Sequence, residues 1–245
     1  MSRLLKRNRE RTSRVVTSKK IIIAPEGVST EVDYFSGIQQ YFEGLKERVS
    51  KRYEQLIEFV VIERGIIEQN EEDKDFAIGS SSPRFVASYV RTYVSESGID
   101  IEADDYVYVL VDKDQWTNAN LSEAQQICKS NNYCFIVSNP SFELWLYLHF
   151  VDVSSLGSDE LERILSNKTE VGKVSYLKLK IKEQVSGFNF NNLNIDDFKD
   201  HIKIALKHAD KLSHPEEGWC DDEVGTQISR IFTDTKLLEQ IETIL

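Results

Sequence analysis

Short apolar runs alternate with longer amphipathic segments through the first 150 residues of the chain. Runs rich in Ile, Val, Phe and Tyr predict β-strands, which are expected at residues 19–25, 56–62, 106–111 and 133–137. Apolar positions at helical spacing predict helices after these strands, and the helices are expected to begin near Ser29, Arg84, Ser122 and Phe142. Strands and helices in alternation predict an α/β domain with a mostly parallel sheet flanked by helices.

The pattern divides the chain into three parts. Residues 1–18 form a basic N-terminal arm, and residues 19–150 carry the strand and helix alternation. Beyond them, residues 151–245 alternate polar, Asn-rich stretches with segments of helical spacing. We expect this last part to be a smaller, mainly helical C-terminal portion.

Two of the apolar runs end in carboxylates, which are the first candidates for chemistry. Glu26 follows the first run, and Asp112 and Asp114 follow the run at 106–111. The carboxyl ends of parallel strands meet at one edge of a sheet, where ligands bind. Close carboxylates cannot all stay ionised without a counter-charge, and a hard cation such as Mg²⁺ or Mn²⁺ supplies it. We expect Asp112 and Asp114 to bind metal, and Glu26 to be a third ligand or the general base that activates a water.

Each of these acids also has a simpler interpretation. A bare Asp-x-Asp at a strand end is more often a solvated turn. The presence of Glu26-Gly27 and of the longer strings described below favours a site instead. Glu31 lies at a helix start, where an acid favours the helix dipole, or it lines the metal site. Glu143 falls within an apolar helix, and because an unpaired buried carboxylate is costly, its partner is a metal, a basic residue or a backbone amide.

Positive charge is concentrated in two places although the chain as a whole carries −11. Residues 1–20 hold eight Lys or Arg against one Glu, and such an arm either holds nucleic acid or is a solvated or partner-docking tail. Lysines recur every fourth residue at Lys199, Lys203, Lys207 and Lys211. They predict a stripe along one helix that either follows a phosphodiester backbone or is an ordinary solvated face.

Composition excludes several classes of protein. No run approaches the roughly 18 apolar residues that a membrane span needs, and the N-terminus lacks the apolar core of a signal peptide. Three cysteines at unrelated spacings indicate free thiols in a reducing cytoplasm and form no zinc pattern. No phosphate-binding loop motif is present, so any use of ATP would come from a partner.

Three further residues stand close to the acids in sequence. Asn139 is expected to shape a strand-to-helix turn, with a substrate contact as the alternative. His149 fits a hydrogen-bonded packing residue better than a catalyst. Trp116 covers the site, stacks on a base or packs in the core.

The longer strings around the acids carry a family resemblance. They are Glu26-Gly27-x-x-Thr30-Glu31-x-x-Tyr34-Phe35, Asp112-x-Asp114-x-Trp116, Ser138-Asn139-Pro140-x-Phe142-Glu143-x-Trp145-Leu146 and Leu148-His149-Phe150. The order of strand, Glu-Gly, helix, strand and Asp-x-Asp resembles the Toprim arrangement of topoisomerases, primases and some nucleases. The strings themselves resemble the RloB-like family over roughly residues 1–150.

The resemblance implies a Toprim-type, Mg²⁺- or Mn²⁺-dependent nuclease that acts on DNA or RNA in bacterial phage defence or abortive infection. It also implies an ABC-type or AAA-type ATPase as partner, and a homo-oligomer is compatible with it. Phosphotransfer of another Toprim kind is a second reading, although the chain is too short for the extra domains of a topoisomerase. A third is a non-catalytic regulatory or adaptor subunit of an ATPase complex.

Overall fold

The structure is a computed structural model that describes residues 18–49, 56–62, 82–172, 174–212, 218–219 and 221–237. The expected basic arm, residues 1–18, lies outside the described residues apart from Ser18. Nothing in the structure therefore bears on its role.

Strands and helices alternate as far as α4, as the sequence pattern predicts. The strands are β1 Ser18–Pro25, β2 Leu56–Val61, β3 Tyr106–Asp112, β4 Cys134–Asn139, β5 Thr169–Val171, β6 Val174–Ser175 and β7 Gly225–Thr226. The α-helices are α1 Thr30–Val49, α2 Pro83–Glu96, α3 Asn118–Ser130, α4 Glu143–Leu148, α5 Ser158–Ser166, α6 Tyr176–Gln184, α7 Ile202–Ala209 and α8 Ser229–Asp234. Single turns of 3-10 helix lie at Val153–Ser155, Ile195–Asp197 and Lys199–His201.

The main sheet has the strand order β2-β1-β3-β4-β7. Its first four members run parallel, and β7 pairs antiparallel with β4. A strand with sheet neighbours on both sides and helices on both faces must be apolar at successive positions, and Ile21, Ile22 and Ile23 of β1 are all fully buried. The predicted α/β class and the mostly parallel sheet are confirmed.

Helices cover both faces of the sheet and define two apolar clusters. On one face, Ile22 of β1 packs with residues of α2 and α3. On the other face, Ile21 and Ile23 pack with α1, α4, α6 and α7. The two faces leave the carboxyl ends of β1 and β3 at a single edge, where the predicted acids lie.

The C-terminal portion shares the core of the sheet. Phe198 and Ile202 lie in the same cluster as Trp145 of α4, and β7 adds an edge strand through the pairs Ser138↔Thr226 and Asn139↔Gly225. The division of the chain at residue 150 stays a prediction from sequence texture, whereas these contacts show packing across that position. Within the described segments, none of the helices combines the length and apolar composition needed to cross a bilayer.

Candidate metal centre

Glu26 ties together the ends of two neighbouring parallel strands. Its backbone N–H donates to the carbonyl of Leu110 at 2.9 Å. Its carboxylate accepts two further bonds, from the backbone N–H of Asp112 at Oε2 and from the indole N–H of Trp116 at Oε1, both 2.9 Å. The side chain is only 8% exposed, so Glu26 is a buried acceptor at the exact strand end that the sequence predicts.

The Asp-x-Asp turn is held against the start of α4. Asp112 is the last residue of β3, and its Oδ1 accepts the backbone N–H of Phe142 at 2.9 Å. The backbone N–H of Asp114 donates to the carbonyl of Pro140 at 3.1 Å. Asp112 is partly buried and Asp114 exposed, which places one carboxylate inside the edge of the sheet and the other at its rim.

Glu31 folds back from the first turn of α1 over Gly27. A Cβ placed on Gly27 would lie 2.0 Å from Oε2 of Glu31 and 2.2 Å from its Oε1. The carboxylate of Glu31 therefore occupies the space that the Cβ of any other residue at position 27 would fill. This explains on steric grounds why a glycine follows Glu26. Glu31 fits both interpretations offered by the sequence. It lies in the first turn of a helix, where an acid favours the dipole, and it also lies near Glu143 and Glu26.

Glu143 is paired with a residue from the C-terminal portion. It is the first residue of α4 and 8% exposed. Its Oε2 accepts the hydroxyl of Ser141 at 2.7 Å, and its Oε1 lies 3.3 Å from Nζ of Lys178 on α6. The expected partner of this buried carboxylate is thus a basic residue, and its distance from Glu143 in the chain kept it out of reach of sequence reasoning.

Burial and neighbouring carboxylates raise the pKa of three of these acids. Burial, followed by repulsion from Glu31, Glu143, Glu26 and Asp114, holds the pKa of Asp112 well above its usual range. Burial and then Glu143 raise the pKa of Glu31 to about 7. Burial raises the pKa of Asp114 as well, with Lys178 acting in the opposite direction. Together, the acids behave as a single electrostatic cluster, which we call the acid cluster: Glu26, Glu31, Asp112, Asp114 and Glu143.

The acid cluster fits a hard divalent cation in the chemistry of its donors. Carboxylate oxygens are the ligands that Mg²⁺ and Mn²⁺ take in proteins, and a cation removes the cost of gathering them. As the side chains stand, no group of three or more Asp, Glu, His or Cys among the described residues is arranged to enclose an ion. The carboxylate oxygens of Glu26 and Glu143 instead accept bonds from donors of the protein itself. Binding would therefore require some of these carboxylates to exchange protein donors for the ion.

The predicted lysine stripe does not lie on one helix. Helix α7 covers only Ile202–Ala209, so Lys203 and Lys207 belong to it. Lys199 lies in the preceding 3-10 turn and is paired with Asp196, and Lys211 follows the helix and is paired with Asp152. The prediction of a single helical stripe is wrong, because a four-residue spacing does not reveal where the backbone leaves the α-helical form. Contact of these lysines with nucleic acid stays a prediction.

His149 is a buried packing residue, as expected. Its Nδ1 lies 2.9 Å from the carbonyl of Trp145, which can only accept, so Nδ1 carries the proton. Nε2 then accepts from the hydroxyl of Tyr34 at 3.2 Å. Burial lowers the pKa of His149 to about 3, and the ring is neutral.

Asn139 and Trp116 support the edge of the sheet. The amide of Asn139 donates to the carbonyls of Asp221 and Glu223 at 3.2 and 3.0 Å, so it fastens the segment that leads into β7. Trp116 packs against the cluster around α2 and α3 while its indole N–H reaches Glu26. Trp116 and Glu26 are 90 positions apart in the chain, so no local spacing indicates this bond, and sequence reasoning missed it.

Fold and site together define an α/β protein whose parallel sheet gathers five carboxylates at its carboxyl edge. The family model for RloB-like protein matches residues 21–234. The chain therefore belongs to the RloB-like family, as its motifs predicted, and the match extends well beyond residue 150. No curated protein and no solved structure matches the chain.

Proposed function

We propose that the chain is a Mg²⁺- or Mn²⁺-dependent nuclease that hydrolyses phosphodiester bonds at the acid cluster. The observation that carries this proposal is a group of acids delivered to one edge of the sheet by separate elements: Glu31 by α1, and Asp112 and Asp114 by β3 and the turn after it. Burial and, after it, neighbouring carboxylates raise the pKa of all three. Structural acids are normally paired one to one. Several carboxylates that repel one another are instead suited to binding a multivalent cation.

The residues of the acid cluster take different roles in this proposal. Asp112, Asp114, Glu31 and Glu143 are candidate ligands, and Glu26 is a ligand or the base that accepts a proton from the attacking water. A bound cation would polarise the phosphoryl oxygen and stabilise the leaving group. Two donors already fix the direction of the Glu26 carboxylate, and a fixed direction is what a base needs to receive a proton from one defined position.

The biological setting is proposed from the family resemblance. An effector of phage defence that works with an ABC-type or AAA-type ATPase in the cytoplasm agrees with a chain in which we find no phosphate-binding loop motif. Such a nuclease would be held inactive until its partner signals. Co-purification of the chain with the partner ATPase tests this setting independently of the chemistry.

The test of the chemistry is cleavage of plasmid DNA and of total tRNA by the purified chain. Mg²⁺, Mn²⁺ and EDTA are compared for the wild type, Asp112→Asn and Asp104→Asn. Asp104 precedes the same strand at its opposite end and is exposed, so its variant is a control for the change of charge. Cleavage that requires metal and is lost only in Asp112→Asn supports the proposal, and cleavage that survives in Asp112→Asn refutes it.

A second candidate function is a non-catalytic adaptor subunit. The observation in its favour is that Glu26 and Asp112 each accept a backbone N–H at 2.9 Å, so both carboxylates also act as staples between chain segments. An adaptor needs only these staples. It would then show no change in melting temperature on addition of Mn²⁺, and Asp112→Asn would leave its function in cells intact.

A further inference from the structure

One aromatic side chain of the C-terminal portion stands at the rim of the acid cluster. Phe190 is partly exposed and lies in the loop between α6 and the 3-10 turn at Ile195–Asp197. Its ring contacts the buried ring of Phe188, with centroids 4.6 Å apart and planes at 86°. Its carbonyl accepts the hydroxyl of Thr30 at 3.1 Å. The backbone of Phe190 is thus fixed beside the residue that precedes Glu31.

A lysine joins this ring to the acid cluster. Nζ of Lys178 lies 3.3 Å from Oε1 of Glu143 and 5.1 Å from the centre of the Phe190 ring. Nζ of Lys182, one turn further along α6, lies 5.9 Å from the same centre. A π-face with two ammonium groups therefore adjoins the carboxylates, and we call these three residues the Phe190 platform.

The platform combines the two kinds of contact that unpaired nucleotides make with proteins. Bases stack on aromatic rings, and phosphates are held by cations beside them. Charge also requires such a feature, because a chain of net charge −11 repels a polyanion unless cations stand near the acids. The bases of a duplex are already stacked on each other and offer no free face to a ring.

We propose that the Phe190 platform binds one unpaired nucleotide of a single-stranded nucleic acid. Its base replaces the ammonium groups that now lie over the Phe190 ring, and its phosphate takes Lys178 and Lys182 as partners. This inference rests on the proposed nuclease function and names its substrate class. Single-stranded DNA and single-stranded RNA share this chemistry, so both are arms of the test. Structural packing alone, in which the ring merely covers the stem of Lys178, predicts effects on stability and none on binding.

The test uses a short single-stranded oligonucleotide that carries one 2-aminopurine, whose fluorescence is quenched when the base stacks. Binding is followed by quenching and by anisotropy with Mg²⁺ in the Asp112→Asn background, so that the strand is not consumed. Phe190→Leu retains apolar bulk for packing, Phe190→Trp restores a larger π-face, and Phe85→Ala removes a partly buried aromatic residue from α2 on the other face of the sheet.

We expect Phe190→Leu to weaken single-strand binding about tenfold and to abolish the quenching, since stacking on one ring is of this order. Phe190→Trp should restore both, and Phe85→Ala should change neither. Lys178→Gln should make binding less sensitive to salt. Equal affinity for a duplex of the same sequence, or unchanged quenching in Phe190→Leu, overturns the platform.

The outcome is separable from that of the nuclease proposal. If metal-dependent cleavage is lost in Asp112→Asn while Phe190→Leu binds as before, the nuclease stands and the platform is refuted. If Phe190→Leu loses binding and quenching while the wild type cleaves neither DNA nor RNA with any metal, the platform stands as a binding site and the nuclease proposal falls.

Discussion

Replacement of Gly27 by Ala should remove Glu31 from the acid cluster without disturbing the fold. The new Cβ would lie 2.0 Å from Oε2 of Glu31 and 2.2 Å from its Cδ, far inside van der Waals contact. The φ angle of Gly27 lies outside the left-handed region, so the backbone accepts alanine. Because the clash is with the end of a flexible side chain, the carboxylate should swing away while the turn stays.

The magnitude follows from the electrostatics of Glu31. Burial and repulsion raise its pKa from 4.5 to about 7, so holding it ionised in the fold costs about 3 kcal/mol well above that pH. Displacement recovers part of this cost, and loss of glycine freedom in the unfolded chain adds about 0.4–1 kcal/mol. Without metal at alkaline pH, the free energy of unfolding should therefore rise, while metal affinity should fall about tenfold or more, as when a metal-site residue is lost.

The assay is thermal unfolding with increasing Mn²⁺, together with calorimetric titration of the metal. Glu31→Gln should match Gly27→Ala in both. The control is Gly44→Ala on an exposed position of α1, where an added Cβ meets nothing within 4 Å. It should stabilise the chain by roughly 0.5–1 kcal/mol, as expected for Gly replaced in a helix, and leave metal affinity unchanged. Wild-type metal affinity in Gly27→Ala would refute the assignment of Glu31 to the site.

Three further predictions concern pH, packing and the edge of the site. Burial and then neighbouring acids raise the pKa of Glu31 to about 7, so the folded chain holds a proton that the unfolded chain has already lost. The free energy of unfolding should therefore fall as the pH rises from about 5 to about 8, and Mg²⁺ should restore it. A flat pH profile would contradict this. Gly37→Ala puts a methyl 2.5 Å from Cβ of Ile195 and should cost about 1–3 kcal/mol in chemical denaturation without altering metal affinity. Asp221 lies 3.4 Å from Nζ of Lys113, the residue between Asp112 and Asp114, so this ion pair helps to position the Asp-x-Asp turn. Asp221→Asn should slow cleavage several-fold at an unchanged melting temperature, and an unchanged rate would exclude this positioning role.

The sheet and three of its acids could be predicted because both are local in sequence. A strand such as β3 is a continuous apolar run, and Asp112 directly follows it, so one pattern gives both the element and the site. β7 could not be predicted, since Gly225–Thr226 is too short to have a period. Its place beside β4 is fixed by tertiary bonds, such as the one between the hydroxyls of Ser138 and Thr226 at 2.7 Å.

The basic side of the site was beyond sequence reasoning for a different reason. Lys178 reaches Glu143 across 35 positions of the chain, and the two lie on helices that are brought together by their buried apolar faces. The spacing of residues in α6 does not indicate that Lys178, and not Lys180 or Lys182, is the lysine that pairs with Glu143. The four lysines from Lys199 to Lys211, whose spacing predicts one stripe, lie in a 3-10 turn, in α7 and beyond the end of α7.

The competition between staple and ligand bears on how such a site would be controlled. The carboxylate of Glu26 accepts the N–H groups of Asp112 and Trp116 at 2.9 Å, and these bonds tie the end of β1 to the end of β3 and to the turn after it. An ion that recruited Glu26 would have to weaken one of them, so ion binding and the position of the turn are coupled. Lys178 offsets one charge of the acid cluster and leaves the rest in mutual repulsion. Ionisation of Glu31 and Asp112 is therefore disfavoured without a further counter-charge, and any cation or partner that favours their ionised form also acts on the turn that carries Asp114.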